Sequence, residues 1–322
     1  MKIVSLFAGC GGLDLGLHRA GHEIVHASDF DKDSVNTYNG YFEKKAELMD
    51  VHNLKGKDLP KYDLLAGGFP CQGFSIANIR RTRDDSRNQL YTQIVRLLKE
   101  SKPKFFLLEN VAGILSLEKG AVVKQIIKEL TQVNKKEFGG YEVRYIKLNA
   151  ADYGVPQNRI RVIFLGVSKS YNQVIRNKMF NHFPPEPTNT PDGDMISNKY
   201  LTLKDAISDL GEPDKNYPTP NHVCNKHKVK ITGYIGNRKL DWNKPSPTIV
   251  GRGGGTGGPV IAVHPNLKRR FSVRESARIQ TFPDDFVFKG SISSQFRQIG
   301  NAVAVGFAAH LGYMLNKIEK HI

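Results

Sequence analysis

The sequence predicts an α/β fold, a doubly wound and mostly parallel sheet with a second, smaller and irregular domain. Strand-like apolar runs alternate with helical runs through the first half of the chain, which is the pattern of βαβ units. Near residue 183 this alternation gives way to a stretch rich in glycine, proline and asparagine. A chain of 322 residues has room for one large domain and one smaller one.

Each element is predicted from its own pattern of apolar residues and breaks. Short apolar runs bounded by turn residues predict strands at 3–7, 23–27, 48–50, 64–66, 105–108, 145–148 and 161–167. Apolar residues at helical spacing predict helices beginning near Leu13 and over 93–99, 122–130 and 300–322. The run 183–187, with three prolines, is predicted to be a linker.

The charge of the chain favours a polyanionic partner. Lys and Arg total 47 against 31 Asp and Glu, a formal net charge of +16, and nucleic acid is the commonest such partner. Between residues 221 and 270 the sequence contains ten basic residues and one acidic residue, Asp241. No signal peptide or apolar run of membrane-spanning length is found, so we expect a cytoplasmic protein with no membrane association.

The three cysteines are odd in number and far apart, which predicts neither a disulfide framework nor a structural zinc site. His222, Cys224 and His227 lie close in sequence but lack a fourth ligand, so no metal is predicted. Cys71 is different, because Gly67-Gly68-Phe69-Pro70-Cys71-Gln72 follows a buried strand. That places a thiol at the carboxyl edge of a sheet, where open α/β folds bind ligands; a buried structural cysteine is the alternative.

The amino end carries a candidate cofactor turn. Gly9, Gly11 and Gly12 follow the first strand, but Asp14 stands where a dinucleotide fingerprint needs glycine, and a carboxylate at a helix amino end opposes a pyrophosphate. Asp29 ends the second strand, where it suits ribose hydroxyls, and Asp50 could accept from an adenine amino group. These residues favour S-adenosylmethionine over NAD, although tight turns use the same residues for steric reasons alone.

Two further clusters suggest chemistry. Glu109, at the tip of an apolar strand, is a partly desolvated carboxyl and a candidate proton donor, unless it only caps a helix. Arg159 and Arg161 lie on one face of an incoming strand, with the spacing to hold an anion or a carbonyl, or are merely solvated strand-end charges.

These motifs occur in the order Phe-Ala-Gly-x-Gly-Gly, Gly-Phe-Pro-Cys-Gln-x-Phe-Ser, Glu-Asn-Val, Gln-x-Arg-x-Arg, Arg274-Glu275-Ser276-Ala277-Arg278 and Gly-Asn-Ala-Val. In that order the chain closely resembles the bacterial cytosine-C5 DNA methyltransferases of type II restriction–modification systems, from residue 3 to about 310. The resemblance implies the S-adenosylmethionine-dependent methyltransferase fold, with a catalytic domain over 1–183 completed by 299–322. It also implies a target-recognition domain over 184–298.

The resemblance implies roles for single residues as well. Cys71 would attack C6 of a flipped-out cytosine, Glu109 would protonate or hydrogen-bond N3, Arg161 would hold the base carbonyl, and Arg159 would pair with a phosphate or support the catalytic loop. The positions that match the family's cofactor site are Phe7, Gly9, Gly11, Gly12, Asp29, Phe30, Asp50, Val51, Pro70, Leu90, Asn301 and Val303. Asp29 stands where the family often has Glu.

The same resemblance predicts the DNA contacts and the partners. A charged loop closing over double-stranded DNA would contribute Arg80, Arg81, Arg83 and Arg87, and the recognition domain would contribute Thr248 and Arg252. We expect a monomer on DNA, associated with the bacterial nucleoid and linked in function to a cognate restriction endonuclease. A tRNA-methylating relative of the same fold and a catalytically silent DNA-binding module are the alternatives.

Overall fold

A seven-stranded mixed sheet forms the centre of the molecule. The computed structural model describes residues 1–69, 89–224, 240–251, 263–266 and 269–322. The strands of the central sheet are β1 (Lys2–Leu6), β2 (Glu23–Asp29), β3 (Glu47–Leu48), β4 (Leu64–Gly68), β5 (Phe105–Val111), β6 (Tyr141–Asn149) and β8 (Ile160–Ser168). Their order is β3-β2-β1-β4-β5-β8-β6. The first five are parallel, and β8 runs antiparallel to both β5 and β6.

Helices cover both faces of this sheet. They are α1 (Gly12–Arg19), α2 (Lys32–Tyr41), α3 (Gln89–Ser101), α4 (Ala121–Gln132), α5 (Lys135–Phe138), α6 (Gln173–Phe180), α7 (Leu203–Ile207), α8 (Val273–Ile279), α9 (Ile292–Asn301) and α10 (Val305–Glu319). Short pairs of strands join β7 (Gln157–Asn158) to β11 (Ser246–Pro247), and β9 (Asn189–Thr190) to β10 (Asn198–Lys199). Among the described residues, 3₁₀ turns span Gly56–Asp58, Ala112–Leu115, Leu117–Gly120 and Ala150–Tyr153.

The strands are apolar on both faces because each face supports a separate core. Along β5, Phe105 and Leu107 pack into the cluster that holds α1, α8, α9 and α10, while Phe106 and Leu108 pack into the cluster under α3 and α4. A sheet buried on both sides produces continuous apolar runs rather than an alternation with polar residues. The predicted doubly wound, mostly parallel α/β fold is thereby confirmed.

The first helix packs directly against the last one. A Cβ placed on Gly16 of α1 would lie 2.3 Å from Cβ of Ala308 and 2.6 Å from the carbonyl oxygen of Val305, so the absent side chain lets the two helices approach. The helix predicted at 300–322 therefore contributes, as α10 from Val305 onward, to the core on one face of the central sheet. Residues 273–299 also contribute buried side chains to this cluster, and the domain boundaries at 183 and 299 stay a prediction.

Several elements differ from the prediction. Strand β6 begins at Tyr141. The prediction placed its start at Tyr145 because Glu142 and Arg144 interrupt the apolar run. The Arg144 guanidinium lies 4.1 Å from the Phe180 ring centroid. Helices α7, α8 and α9 were not predicted within the irregular region. Helix α8 begins at a capping box, in which Ser272 and Glu275 each accept a backbone N–H of the other, a signal that the sequence does carry.

Candidate active site

The candidate residues converge at one edge of the sheet because parallel strands end on the same side. Leu6 pairs in register with Ser28 and Gly67, and Gly68 pairs with Glu109. Phe7, Asp29 and Phe69 therefore lie at the same edge of the sheet as Glu109. This is the carboxyl edge of the parallel strands, where open α/β sheets bind ligands.

Glu109 and Arg161 form an ion pair at this edge. Nε of Arg161 lies 2.7 Å from Oε1 of Glu109, and the two side chains are 10% and 12% exposed, respectively. Val111 of β5 pairs with Arg161 of β8, so residues 109 and 161 share one face of the sheet. A carboxylate and a guanidinium held together and partly open to solvent can offer an acceptor and donors to one planar polar ligand.

Two neighbours fix this pair. A Cβ on Gly68 would lie 2.9 Å from Oε2 of Glu109, so a side chain there would push the carboxylate out of its present position. On the opposite face of β5, the amide nitrogen of Asn110 donates to the Phe69 carbonyl at 2.9 Å. The Glu-Asn-Val motif thus holds both the carboxylate and the backbone that leads into residues 70–88. Pro70 and Cys71, and the loop arginines Arg80, Arg81, Arg83 and Arg87, lie outside the described residues.

Arg159 is 1% exposed, and among the described residues its guanidinium donates to three backbone carbonyls. One terminal nitrogen donates to Ile249 at 3.0 Å, and the other donates to Gly300 and Ala302, both at 2.8 Å. Burial, with repulsion from Arg161, lowers its pKa to about 9. A phosphate would have to displace these carbonyls, so the geometry favours a supporting role for Arg159. The segments that it supports are Ile249 and the end of α9.

The candidate cofactor turn is built by backbone in the left-handed region. Phe7, Gly9 and Gly11 have φ values of 54°, 56° and 93°. A Cβ on Gly12 would lie 2.3 Å from the Val303 carbonyl oxygen, whereas nothing lies within 4 Å of the corresponding position on Gly9. The turn is consequently packed against residue 303 on one side and open on the other.

Asp29 closes this turn. One of its carboxylate oxygens accepts the Gly9 N–H at 2.8 Å and the other accepts the Asp31 N–H at 2.8 Å. Burial raises the pKa of Asp29. The next residue, Phe30, has a ring that is 72% exposed. An acidic acceptor next to an open aromatic face is the chemistry that a nucleoside requires.

Asp14 does not face the turn, contrary to the expectation that its carboxylate would lie against a ligand there. It is fully buried and accepts hydrogen bonds from the Ser5 hydroxyl at 2.6 Å and the Tyr38 hydroxyl at 2.9 Å. Burial raises its pKa to about 6. Asp14 is therefore no electrostatic obstacle to a pyrophosphate at this turn, because its carboxylate points into the core.

The other cofactor candidates surround the same corner. Asp50 is exposed in the turn after β3, and Val51 beside it is buried. Leu90 is half-buried in the first turn of α3, Asn301 is exposed at the end of α9, and Val303 is buried. Their assignment to a cofactor stays a prediction.

The predicted DNA contact Thr248 lies on a segment that docks beside the Gln-x-Arg-x-Arg motif. Ser246 and Pro247 pair with Gln157 and Asn158, and the Thr248 hydroxyl donates to the Asn158 carbonyl at 2.8 Å. Its hydroxyl oxygen still has an accepting lone pair. Arg252 lies outside the described residues, so the two predicted base contacts stay untested.

Sequence reasoning missed the role of Gln157. This buried amide accepts the Ile249 N–H at 2.8 Å and donates to the Gln280 side chain at 3.0 Å. It therefore ties β7 to the 246–251 segment and to the end of α8. Its place as the first residue of the quoted motif was the available signal.

Neither a metal cluster nor a membrane span occurs in the part of the chain that the structure describes. No group of three His, Cys, Asp or Glu side chains there could hold an ion. No helix among the same residues has the length and apolar character to cross a bilayer.

The chain is similar to known methylases along its whole length. Residues 1–317 match the family model of C-5 cytosine-specific DNA methylases. The type II methyltransferase M.FnuDI of Fusobacterium nucleatum is 37% identical over 335 residues, covering 96% of this chain and 92% of the relative. M.NgoPII of Neisseria gonorrhoeae is 34% identical, with 98% and 96% covered.

Solved structures agree with this similarity. A protein assigned as a DNA modification methyltransferase encoded within an E. coli prophage superposes with a TM-score of 0.74 at 27% identity, with 99% of each chain covered. The Dnmt2 methyltransferase of S. pombe superposes with a TM-score of 0.70 at 20% identity over 98% of each chain, which supports the fold alone.

Proposed function

The chain belongs to the C-5 cytosine-specific DNA methylase family, and on that premise we propose that it methylates C5 of a cytosine flipped out of double-stranded DNA, through a covalent bond to Cys71. The observation that carries the proposal is the Glu109–Arg161 ion pair beside Gly68 and Phe69, the residues that lead directly to Cys71. A nucleophile, an acid and a cation are then expected at one edge of the sheet.

The pair suits the cytosine ring because its two members complement adjacent ring atoms. Cys71, as the thiolate, adds to C6, and the displaced π electrons move to C5 while Glu109, which takes up a proton when the base binds, donates that proton to N3. Arg161 donates to the base carbonyl and keeps the ring in plane with the carboxyl group. Once C5 carries the methyl group, transfer of the C5 proton to a water molecule expels the Cys71 thiolate and restores the double bond, and N3 returns its proton to Glu109.

S-adenosylmethionine fits the other half of this edge. The open side of the Gly9 turn, the Asp29 carboxylate and the exposed Phe30 ring would hold a nucleoside, and Asp50 would accept from its base amino group. When bound, the cofactor supplies an electrophilic methyl group. S-adenosylmethionine has no phosphate group and so needs no phosphate site, which is consistent with a turn closed by the Asp29 carboxylate.

The physiological role follows from the relatives. The similar proteins are named type II methyltransferases, so we propose that this enzyme protects host DNA from a cognate restriction endonuclease. It would act as a monomer on DNA, in the cytoplasm at the nucleoid. The net charge of +16 supports a nucleic-acid substrate but does not by itself distinguish DNA from RNA.

A methyl-transfer assay tests this function. The purified enzyme is incubated with tritiated S-adenosylmethionine and, in parallel reactions, with plasmid DNA or bulk tRNA. We expect label in DNA only, with bisulfite sequencing placing 5-methylcytosine at one short recurring sequence. Label in tRNA alone would replace this function with the RNA-directed alternative, and label in neither would favour the silent DNA-binding module.

The covalent step has its own test. DNA with 5-fluorocytosine at the mapped target should trap the enzyme as a stable adduct, because fluorine cannot leave as a proton does. The Cys71→Ser variant should form no adduct and keep its affinity for the duplex. Methylation by this variant at more than a small residual rate would contradict a role for Cys71 as nucleophile.

A further inference from the structure

The turn after β3 brings Asp50 to the candidate cofactor corner. The Met49 N–H donates to the Asp29 carbonyl at 2.9 Å, which sets the turn beside the Asp29 acceptor. Within the turn, the Asn53 N–H donates to the Asp50 carbonyl at 2.9 Å. The position of the Asp50 backbone is thus fixed, and the direction of its carboxylate depends on the side chain.

His52 determines that direction. Oδ1 of Asp50 accepts from Nδ1 of His52 at 2.6 Å and from the His52 backbone N–H at 3.0 Å. These two bonds lower the pKa of Asp50, the backbone bond more than the side-chain bond, and keep its carboxyl group an ionised acceptor. Oδ2 makes no hydrogen bond to any described residue, and the Asp50 side chain is 56% exposed. One oxygen is therefore occupied and the other is free to accept.

The imidazole itself is restrained. His52 is 30% exposed, but its Nε2 atom is buried without a hydrogen-bond partner among the described residues, so the ring is packed rather than solvated at that end. For Nδ1 to donate to the carboxylate, it must carry the proton. Without this ring, the His52 backbone N–H would be the one remaining donor to Oδ1 of Asp50 among the described residues.

The far end of the turn is anchored on α3. The Arg96 guanidinium donates to the Val51 carbonyl at 3.0 Å and to the Leu54 carbonyl at 2.7 Å. Glu100, one helical turn further on, pairs with Arg96 and accepts the Gly56 N–H at 2.6 Å. The turn is accordingly held from outside by α3, and the Asp50 carboxylate is held from within by His52.

We propose that His52 is a positioning residue for base recognition: by occupying Oδ1 of Asp50 it leaves Oδ2 to accept from the exocyclic amino group of the cofactor's purine. This inference rests on the proposed use of S-adenosylmethionine. An adenine presents a donor at this position, whereas a 6-oxopurine presents an acceptor that an ionised carboxylate repels. His52 would therefore contribute to selectivity for adenosyl over inosyl ligands, beyond its contribution to affinity.

Binding measurements with two product analogues test this role without any turnover. Isothermal titration gives the Kd of S-adenosylhomocysteine and of S-inosylhomocysteine for the wild type, His52→Ala and His52→Asn. We expect the wild type to prefer the adenosyl ligand, and His52→Ala to lose on the order of tenfold of that preference, the scale of one hydrogen bond to a charged group. His52→Asn should recover much of it, since an Asn amide can donate from nearly the same position as Nδ1.

Controls separate this role from a structural one. His182→Ala, at a histidine that contacts His321 instead of the turn, should leave both affinities unchanged. If His52→Ala weakens both ligands equally and keeps their ratio, or if the wild type does not discriminate between them, the inference is wrong while the proposed function stands. A wild type that binds neither ligand overturns the proposed cofactor, and with it the inference.

Discussion

The position of the Glu109 side chain at the sheet edge depends on its neighbours Gly68 and Arg161. The Glu109 carboxylate holds its present position beside β4 without a contact from residue 68, which has no Cβ, and it lies 2.7 Å from Arg161 because their strands pair in fixed register. A carboxylate so constrained loses little conformational freedom when a substrate arrives. Such preorganisation is a large part of what catalytic residues contribute.

Glu109→Gln should lower kcat by about 10²–10⁴-fold, the usual contribution of a general acid or base. Gln keeps the shape but removes the charge and the ion pair with Arg161. The Kd of S-adenosylhomocysteine should stay near the wild-type value, because no cofactor candidate contacts Glu109 among the described hydrogen bonds and ion pairs. Single-turnover methylation and titration measure the two effects, with exposed Glu43→Gln as the control. Loss of cofactor affinity would instead assign Glu109 to the other pocket.

Asp14 predicts a pH dependence of stability. Its pKa is raised from 3.8 to about 6 by burial, so the folded state favours the neutral acid. Stability from this group is fully present below pH 3.8 and is lost as pH rises through about 6. Asp14→Asn stays neutral, so its free energy of unfolding relative to wild type should rise by about 1 kcal/mol between pH 5 and pH 7.5.

Urea unfolding of both proteins at the two pH values measures this difference. Asp192→Asn, at an exposed position, is the control. A relative stability of Asp14→Asn that falls over this pH range would show that Ser5 and Tyr38 stabilise the charged form enough to outweigh burial.

At the scale of elements, one buried guanidinium joins three parts of the chain. Arg159 lies between β7 and β8, and its acceptors belong to the 246–251 segment and to the end of α9. A Cβ on Gly300 would lie 2.1 Å from the Gly251 nitrogen, so the two backbones touch. The segment that carries Thr248 is thereby connected to the corner that carries Val303.

Arg159→Met should loosen this junction by about 3 kcal/mol, because three backbone carbonyls lose the guanidinium as a donor. Hydrogen exchange followed by mass spectrometry should show faster exchange in peptides covering 246–251 and 297–303, with α4 unchanged. Arg144→Met, which removes a guanidinium stacked on Phe180, is the matched control. Unchanged exchange in both peptides would mean that Gln157 and backbone packing suffice to hold the segment.

Much of this architecture was predictable, and the limits have physical causes. The buried strands β1, β4, β5 and β8 were found because both their faces are apolar, whereas the first residues of edge strand β6 were missed because Glu142 and Arg144 are paired on its surface. Glu109 and Arg161 were identified by their motifs, but their contact depends on the register of β5 and β8. The inward orientation of Asp14 depends on Tyr38, which lies 24 residues away, and no local pattern encodes it.

At the scale of the whole molecule, the charge distribution predicts how DNA binding responds to salt. Ten basic residues against one acid between 221 and 270 should make many phosphate contacts, so affinity should fall steeply with ionic strength. Neutralising Lys226, Lys228 and Lys230, which lie outside the described residues, should reduce the slope of log K against log salt by roughly 3. Affinity should fall alike for target and scrambled duplexes, as phosphate contacts require.

Fluorescence anisotropy at several salt concentrations measures that slope. The control removes equal charge from α4 and α5, where Lys124, Lys128 and Lys136 are exposed. Arg252→Ala and Thr248→Ala should instead cost about 1–3 kcal/mol, mainly on the target duplex, if either side chain reads a base edge. Equal loss on both duplexes would make the glycine-rich stretch at 251–258 a backbone clamp.

The contact between α1 and α10 also has a consequence for how the protein is made. Ala308 leaves the ribosome roughly 290 residues after Gly16 has done so, a delay on the order of tens of seconds at usual rates of synthesis. Throughout that interval the face of α1 that carries Gly16 lacks the helix that covers it in the folded protein. Completion of this core therefore waits until α10 has been synthesised.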